Sequence, residues 1–130
     1  MGCSTLDPTI LLDLRIFHPG SLAPARARVQ TLTKDDDLTL ATWEALTNAM
    51  RHGAPPIGLL VARTDTELLV EVSDCGAGFD TDKPLRIVSV DGQTACCCGR
   101  FFMAKGCDQV SYRWDGERFV CRMVKRHSSR

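Results

Sequence analysis

The segment that ends at Gly53 constrains the fold most, because strong helix signals bound it on both sides. Three aspartates at 35–37 place negative charge where a helix N-terminus favours it. Gly53 and the pair Pro55-Pro56 then prevent the helix from continuing. Between these signals, apolar residues recur at helical spacing at Leu38, Ala41, Ala45 and Ala49. The pattern predicts a helix over Asp36–His52.

Apolar runs on either side of this helix predict an antiparallel sheet, because they alternate or are rich in β-branched residues. Four of these runs form two pairs, each separated by a short polar turn, which is the pattern of a β-hairpin. The predicted strands are 9–17, 57–64, 67–72, 109–114 and 118–125, with a weaker one at 85–90. Segments 24–33 and 99–107 are predicted as short helices, the first with an irregular alternative, and 73–79 and 81–93 as loops.

Length and composition predict one domain over residues 1–130. The chain has 130 residues, of which 44% are hydrophobic, so it can bury one core but is short for two. One helix layer against a mainly antiparallel, mixed sheet makes an α+β two-layer sandwich. Lys+Arg and Asp+Glu number 16 each, which gives no basic footprint for nucleic acid or an anionic membrane.

No apolar stretch reaches the roughly 20 residues that a membrane span needs. The N-terminus also lacks the basic and then apolar order of a signal peptide. These features predict a cytoplasmic protein.

Seven cysteines are many for this length, and three of them are consecutive at 96–98. An odd number without regular spacing does not make a disulfide framework. The run also lacks the two-residue gap with which paired thiolates share a zinc ion. We interpret the cysteines as reduced thiols, with a redox or metal role as the alternative.

Polar side chains share one face of the predicted helix. Glu44, Asn48 and His52 are spaced four residues apart, so they project from the same side. An Asn amide oxygen is a suitable hard ligand for Mg²⁺, and a carboxylate one turn earlier can act as a base. The alternative is that the three residues line a solvated stripe.

A glycine motif follows the first predicted hairpin. In Asp74-Cys75-Gly76-Ala77-Gly78 the glycines permit close approach to the backbone, and the aspartate can accept a hydrogen bond from an exocyclic amine. A simple turn explains such a motif equally well. The order of the parts is more specific: Glu-x-x-x-Asn on a helix, a hairpin, Asp-x-Gly-x-Gly, and then a loop with a further glycine.

These parts resemble the nucleotide-binding motifs of the GHKL (histidine kinase-like) ATPase superfamily. Residues 43–53 resemble its N box and residues 70–80 its G1 box, and the likeness extends over 36–125. Within the superfamily, the chain is most similar to the bacterial anti-sigma-factor serine kinases. The fold that this resemblance implies is the Bergerat sandwich.

The resemblance implies a role for each motif residue, with ATP and Mg²⁺ as cofactors. Asn48 would coordinate the Mg²⁺ that bridges the ATP phosphates, Glu44 would be the general base, and Asp74 would bind the adenine amino group. Gly76 and Gly78 would shape the adenine pocket, with Arg51 and His52 near the phosphates.

The expected G2 box departs from the family pattern. Where two glycines should open a phosphate-binding helix, the chain has Cys97-Cys98-Gly99-Arg100, so Gly99 is the one glycine that remains. Cysteine adds bulk and restricts φ at that place, whereas Arg100 could supply a cationic phosphate contact. Intact Glu44 and Asn48 favour a kinase, and the altered G2 box favours a binding module without turnover.

The resemblance also implies partners. A kinase of this type binds a sigma factor, phosphorylates a serine of its antagonist protein, and is released to hold the sigma factor. Family members pair as homodimers through the first strand, with which the apolar run at 10–17 is compatible. A fragment of a two-component histidine kinase is a further alternative, but His18 lies in a turn signal beside Pro19-Gly20.

Overall fold

Five strands form one antiparallel sheet in the computed structural model, which describes residues 8–76 and 107–126. The strands are β1 (Thr9–Ile16), β2 (Ile57–Arg63), β3 (Glu67–Asp74), β4 (Gln109–Trp114) and β5 (Phe119–Arg126). Their order across the sheet is β1-β2-β3-β5-β4, and each neighbouring pair is antiparallel. The second hairpin therefore joins the first through β5, which pairs with β3.

Among the described residues, the α-helices α1 (Leu22–Thr33) and α2 (Asp36–His52) cover one face of the sheet. The side chain of Asp35 caps α2, since its Oδ1 accepts a hydrogen bond of 2.9 Å from the backbone N–H of Leu38. Lys34 adopts φ 53° between the helices, which turns the chain back on itself. Helix α2 therefore has the predicted bounds.

Helix α1 is longer than the segment predicted at 24–33. Pro24 lies in its first turn, where the backbone nitrogen needs no helical partner. Leu22, Ala25 and Val29 form its buried stripe, and the guanidinium of Arg26 lies 4.8 Å from the ring of Trp43 on α2. Contacts with α2 thus stabilise α1, although the amphipathic pattern of its own sequence is weak.

The hydrophobic core lies between the helices and one face of the sheet. Strand β3 shows the alternation clearly, because Leu68, Val70 and Val72 are buried while the residues between them are partly exposed. Leu38 and Leu46 of α2 are fully buried against this face. Each such side chain contributes about 1.5–3 kcal/mol of transfer free energy. The predicted α+β two-layer sandwich is confirmed.

The main difference from the predicted elements is at the end of β3. Ser73 and Asp74, which were expected in a loop over 73–79, are the last two residues of the strand because they pair with Val120 and Phe119 of β5. The predicted segments 81–93 and 85–90, and 99–107 apart from Cys107, lie outside the described residues. Within the described ranges, no helix is both long and apolar enough to cross a bilayer.

Candidate nucleotide-binding site

A cleft opens between the second half of α2 and the adjoining strands β3, β4 and β5. Its walls are largely apolar, with a few polar side chains among them, as is typical of small-molecule sites. The helix side contributes Ala45, Asn48, Ala49, His52 and Gly53, and the sheet side Val72, Asp74, Tyr112, Phe119 and Cys121. The structure therefore brings Asn48, His52 and Asp74, predicted from separate motifs, to one cleft.

Asp74 is the buried carboxylate of this cleft, with 3% of its surface exposed. Its Oδ1 accepts hydrogen bonds from the backbone N–H of Gly76 at 2.7 Å and of Ala54 at 3.3 Å. Its Oδ2 accepts no hydrogen bond from the part of the chain that the structure describes. Since an ionised carboxylate is an acceptor only, Oδ2 is suited to receive an N–H group from a bound molecule.

Gly53 is packed against Asp74, and Gly76 against the backbone of Gly53, so closely that neither position has room for a side chain. A Cβ on Gly53 would overlap the Asp74 carboxylate, and one on Gly76 would lie 2.7 Å from the Cα of Gly53. Gly53 has φ −106°, so close approach rather than a left-handed backbone explains this glycine. The backbone N–H of Cys75 also donates to the carbonyl oxygen of Ala54 at 2.9 Å. The end of α2 and the glycine motif are therefore joined directly.

Asn48 and His52 reach the cleft from successive turns of α2. Asn48 is partly buried, and within residues 8–76 and 107–126 its amide makes no hydrogen bond. Its oxygen is thus available to a ligand. His52 lies at the last residue of the helix and is exposed.

Glu44 and Arg51 are on the same helix but are not among the residues that line the cleft. Glu44 is partly buried one turn before Asn48, and its carboxylate has no ion-pair or hydrogen-bond partner among the described residues. Arg51 is exposed. The described residues contain no group of three acidic, histidine or cysteine side chains that could hold a metal ion.

Gly78, Gly99 and Arg100 lie outside the described residues, as do Cys97 and Cys98 of the altered G2 box.

Arg118, which belongs to neither predicted motif, lies just before β5 and forms hydrogen bonds with residues next to the cleft. Its guanidinium donates to the carbonyl oxygen of Pro56 at 2.7 Å, to Oγ of Ser73 at 3.1 Å and to Sγ of Cys75 at 3.0 Å. These partners are 43 to 62 residues away along the chain. The sequence therefore carries no local signal for this contact.

A family comparison agrees with the geometry of the cleft. The model of the histidine kinase-like ATPase domain family matches residues 21–125. The chain belongs to this family. The match spans both helices and reaches into β5, so it includes every element that lines the cleft. No curated protein matches the chain.

Membership of the histidine kinase-like ATPase family supports ATP as the nucleotide for this cleft. The residue types suit an adenine base, because most of the lining side chains are apolar and Asp74 offers a buried acceptor. The family match does not distinguish the anti-sigma-factor kinases from other histidine kinase-like ATPases.

Proposed function

We propose that this chain is a cytoplasmic anti-sigma factor that binds Mg·ATP between α2 and β3 and phosphorylates a serine of its antagonist protein. The observation that carries the nucleotide part is the position of Asp74, buried at the cleft with Oδ2 unbonded among the described residues. The protein substrate and the sigma factor are proposed from the likeness of the two sequence motifs to those kinases.

Adenine recognition rests on Asp74. Its Oδ1 is held by two backbone N–H groups, which fix the carboxylate and leave Oδ2 to accept from the 6-amino group of adenine. A base with a carbonyl oxygen at that position would place two acceptors against each other. The site is therefore expected to prefer adenine to hypoxanthine or guanine.

The phosphate end of the site is assigned to α2. Asn48 would hold Mg²⁺ through its amide oxygen, a ligand type that suits this hard cation, and Mg²⁺ would neutralise charge on the triphosphate. His52 and Arg51, in the last turn of the helix, are the cationic or hydrogen-bonding groups expected near the phosphates.

Phosphoryl transfer would need one base. The serine oxygen bonds to the γ-phosphorus, the bond from that phosphorus to the β,γ-bridging oxygen breaks, and ADP leaves. We assign the proton of the serine hydroxyl to the carboxylate of Glu44, which lies one turn from Asn48 and has no partner among the described residues. Positioning and charge neutralisation are sufficient for the rest of the reaction.

Pairing of two chains through β1 is part of this proposal. Strand β1 is at the edge of the sheet, and it carries the exposed Ile10, with the exposed Phe17 immediately after it. An edge strand with exposed apolar side chains favours association. Light scattering during size-exclusion chromatography tests this point, and a single species of 14.3 kDa at tens of micromolar would contradict it.

A module that binds nucleotide without turnover is the second candidate function. The observation that favours it is that Cys97 and Cys98 precede Gly99, where the family pattern has a further glycine in the segment that should approach the phosphates. The two candidates share the adenine site and differ in phosphoryl transfer, so binding and transfer have to be measured separately.

Isothermal titration with Mg·ATP and Mg·ADP is the deciding binding experiment, with Asp74→Asn as the control. We expect micromolar binding by the unaltered chain and a large loss in the variant, because its amide nitrogen cannot accept from adenine. Binding that is unchanged in Asp74→Asn would contradict the adenine assignment. A transfer assay with candidate antagonists then separates the kinase from the binding module, since the latter yields no phosphoserine.

A further inference from the structure

We propose that Arg118 is a positioning residue of the nucleotide site, which sets adenine selectivity by holding the segment after α2 against the glycine motif. This inference rests on the proposed binding of ATP. Arg118 is not among the residues that line the cleft, so it would act through Asp74 rather than touch the nucleotide.

Three bonds from one guanidinium join three parts of the chain. Nη2 donates to the carbonyl of Pro56, in the segment that leaves α2, at 2.7 Å. Nε donates to Ser73 at the end of β3, and Nη1 donates to Cys75 in the glycine motif. A planar guanidinium presents its donors in a fixed arrangement, so the three partners are held at set distances from one another.

The backbone that carries Arg118 is itself fixed. Oδ1 of Asp115 accepts from the backbone N–H of Arg118 at 2.7 Å and of Glu117 at 2.9 Å, while the N–H of Asp115 donates to the Arg118 carbonyl at 3.0 Å. These backbone hydrogen bonds hold the pKa of Asp115 below its ordinary value. Gly116 completes the turn with φ +100°. The guanidinium is therefore anchored to a closed hairpin.

The contact between Arg118 and Ser73 lies on the face of the sheet opposite the cleft. Side chains alternate along β3, so Ser73 points away from the helices while Asp74 points toward them. Gly58 pairs with Ser73 across the strands, and a Cβ there would lie 2.6 Å from Ser73 Oγ. The absence of a side chain at position 58 leaves room for the bonded pair of Ser73 and Arg118.

The contacts on the two faces of the sheet involve the same backbone segment, residues 53–56. Gly53 and Ala54 approach Asp74 and Gly76 on the cleft side, and Pro56, two residues beyond Ala54, is held by Arg118 on the other side. Release of Pro56 would allow the segment after α2 to withdraw from the carboxylate. Asp74 would then lose the Ala54 bond and keep the Gly76 bond alone, so Oδ2 would be held less firmly toward a base.

The test uses base selectivity, because general destabilisation weakens all nucleotides alike. Inosine triphosphate replaces the 6-amino group of ATP with a carbonyl oxygen, so the ratio of the two Kd values reports on Asp74. We expect Arg118→Met to lower ATP affinity by about tenfold, the loss expected for about 1.4 kcal/mol of orienting hydrogen bonds. Affinity for inosine triphosphate should change by less than about twofold, within ordinary variation for a surface change.

Arg113→Met is the matched control. Arg113 lies on β4, its side chain is 50% exposed, and its nearest acidic atom is Glu71 Oε2 at 3.8 Å. The substitution removes the same charge and volume, and neither Arg113 nor its partner Glu71 lines the cleft or bonds to Asp74. Both affinities should stay within about twofold of those of the unaltered chain.

Two further variants and the unaltered chain distinguish failure of the positioning role from failure of the proposed ATP binding. Arg118→Lys retains the charge but cannot reproduce the fork, and Ser73→Ala removes one bond alone, so both should lower the selectivity ratio by less than Arg118→Met. If Arg118→Met does not fold, these two variants decide the question. ATP binding with an unchanged ratio in the Arg118 and Ser73 variants overturns the positioning role and leaves the proposed function intact. Absence of ATP binding by the unaltered chain overturns both.

Discussion

The backbone of Gly53 lies directly against the carboxylate of Asp74, so that a Cβ at position 53 would come within 2.6 Å of Oδ2. The last residue of one motif thus sets the position of the acceptor in the other. This contact connects helix α2 to the end of β3 without any side chain from position 53. The nucleotide site should therefore be sensitive to a single added methyl group there.

Gly53→Ala is expected to reduce both stability and nucleotide affinity. Its methyl group must displace Asp74 or the backbone at 53, and overpacking of this kind costs about 1–3 kcal/mol. Urea unfolding and titration with Mg·ATP measure the two effects. Gly20→Ala is the matched control, because a Cβ at position 20 meets nothing within 4 Å. Equal behaviour of the two variants would show that position 53 has room to adjust.

Glu44→Gln should separate binding from transfer. Loss of a general base lowers phosphoryl transfer by about 10²–10⁴-fold, whereas ATP affinity should change by less than about twofold because Glu44 is not part of the cleft wall. Phosphoserine formation on an antagonist measures the rate of transfer, and titration with Mg·ATP measures the affinity. Full transfer activity in Glu44→Gln would exclude Glu44 as the base.

Asn48→Ala should affect binding as well as transfer, since it removes the amide oxygen that we propose as a ligand of Mg²⁺. Transfer should be lost, and the dependence of ATP affinity on Mg²⁺ should weaken along with it. Titration of ATP with and without Mg²⁺ measures this coupling. The same Mg²⁺ dependence in the variant and the unaltered chain would contradict the assignment of Asn48.

Local signals in the sequence predict the elements of this fold well. Asp35 and Gly53 bound α2 as expected, because caps and breakers act on their immediate neighbours. The end of β3 was missed because Asp74 belongs to the strand through its pairing with Phe119, a partner 45 residues away. Turn residues after Asp74 gave no sign of that pairing.

In the candidate site, too, residues with a local sequence signal could be predicted and residues held by distant contacts could not. Asn48, His52 and Asp74 could be predicted from the order of two short motifs, and the structure brings them to one cleft. Arg118 could not be predicted, because its three partners are scattered along the chain and include a backbone carbonyl, which leaves no trace in the sequence. The packing of Gly53 on Asp74 is likewise a property of the assembled sheet and helix.

Cys107 should be a slowly reacting thiol. Burial raises its pKa from 9.0 to about 12, and the neighbouring Lys125 offsets only part of that effect. Very little thiolate is present at pH 8, so alkylation by iodoacetamide should be at least about tenfold slower than at the exposed Cys75. Peptide mass spectrometry over a time course measures each site, and equal rates would contradict this environment for Cys107.

The ion pair between Lys125 and Asp35 should stabilise the protein up to high pH. Nζ of Lys125 lies 2.9 Å from Oδ1 of Asp35, the residue that caps α2. Burial alone lowers the pKa of Lys125, but the hydrogen bond to Asp35 and the charges of Asp35 and Asp37 outweigh it and raise the pKa above 10.5. A lysine whose folded pKa is raised adds stability that is fully present below its unfolded pKa and is lost as pH rises through the folded value.

Lys125→Met should therefore lower the free energy of unfolding by about 0.5–1 kcal/mol at pH 7, the range expected for a partly exposed pair. The difference from the unaltered chain should persist at pH 9 and shrink as pH rises above 10.5, the ordinary pKa of lysine. Urea unfolding at a series of pH values measures it. Arg122→Met is the control, because its ion pair with Glu71 is longer, at 3.9 Å, and arginine stays charged throughout this range. A Lys125 effect that is constant to the highest pH would assign it to packing of the side chain rather than to its charge.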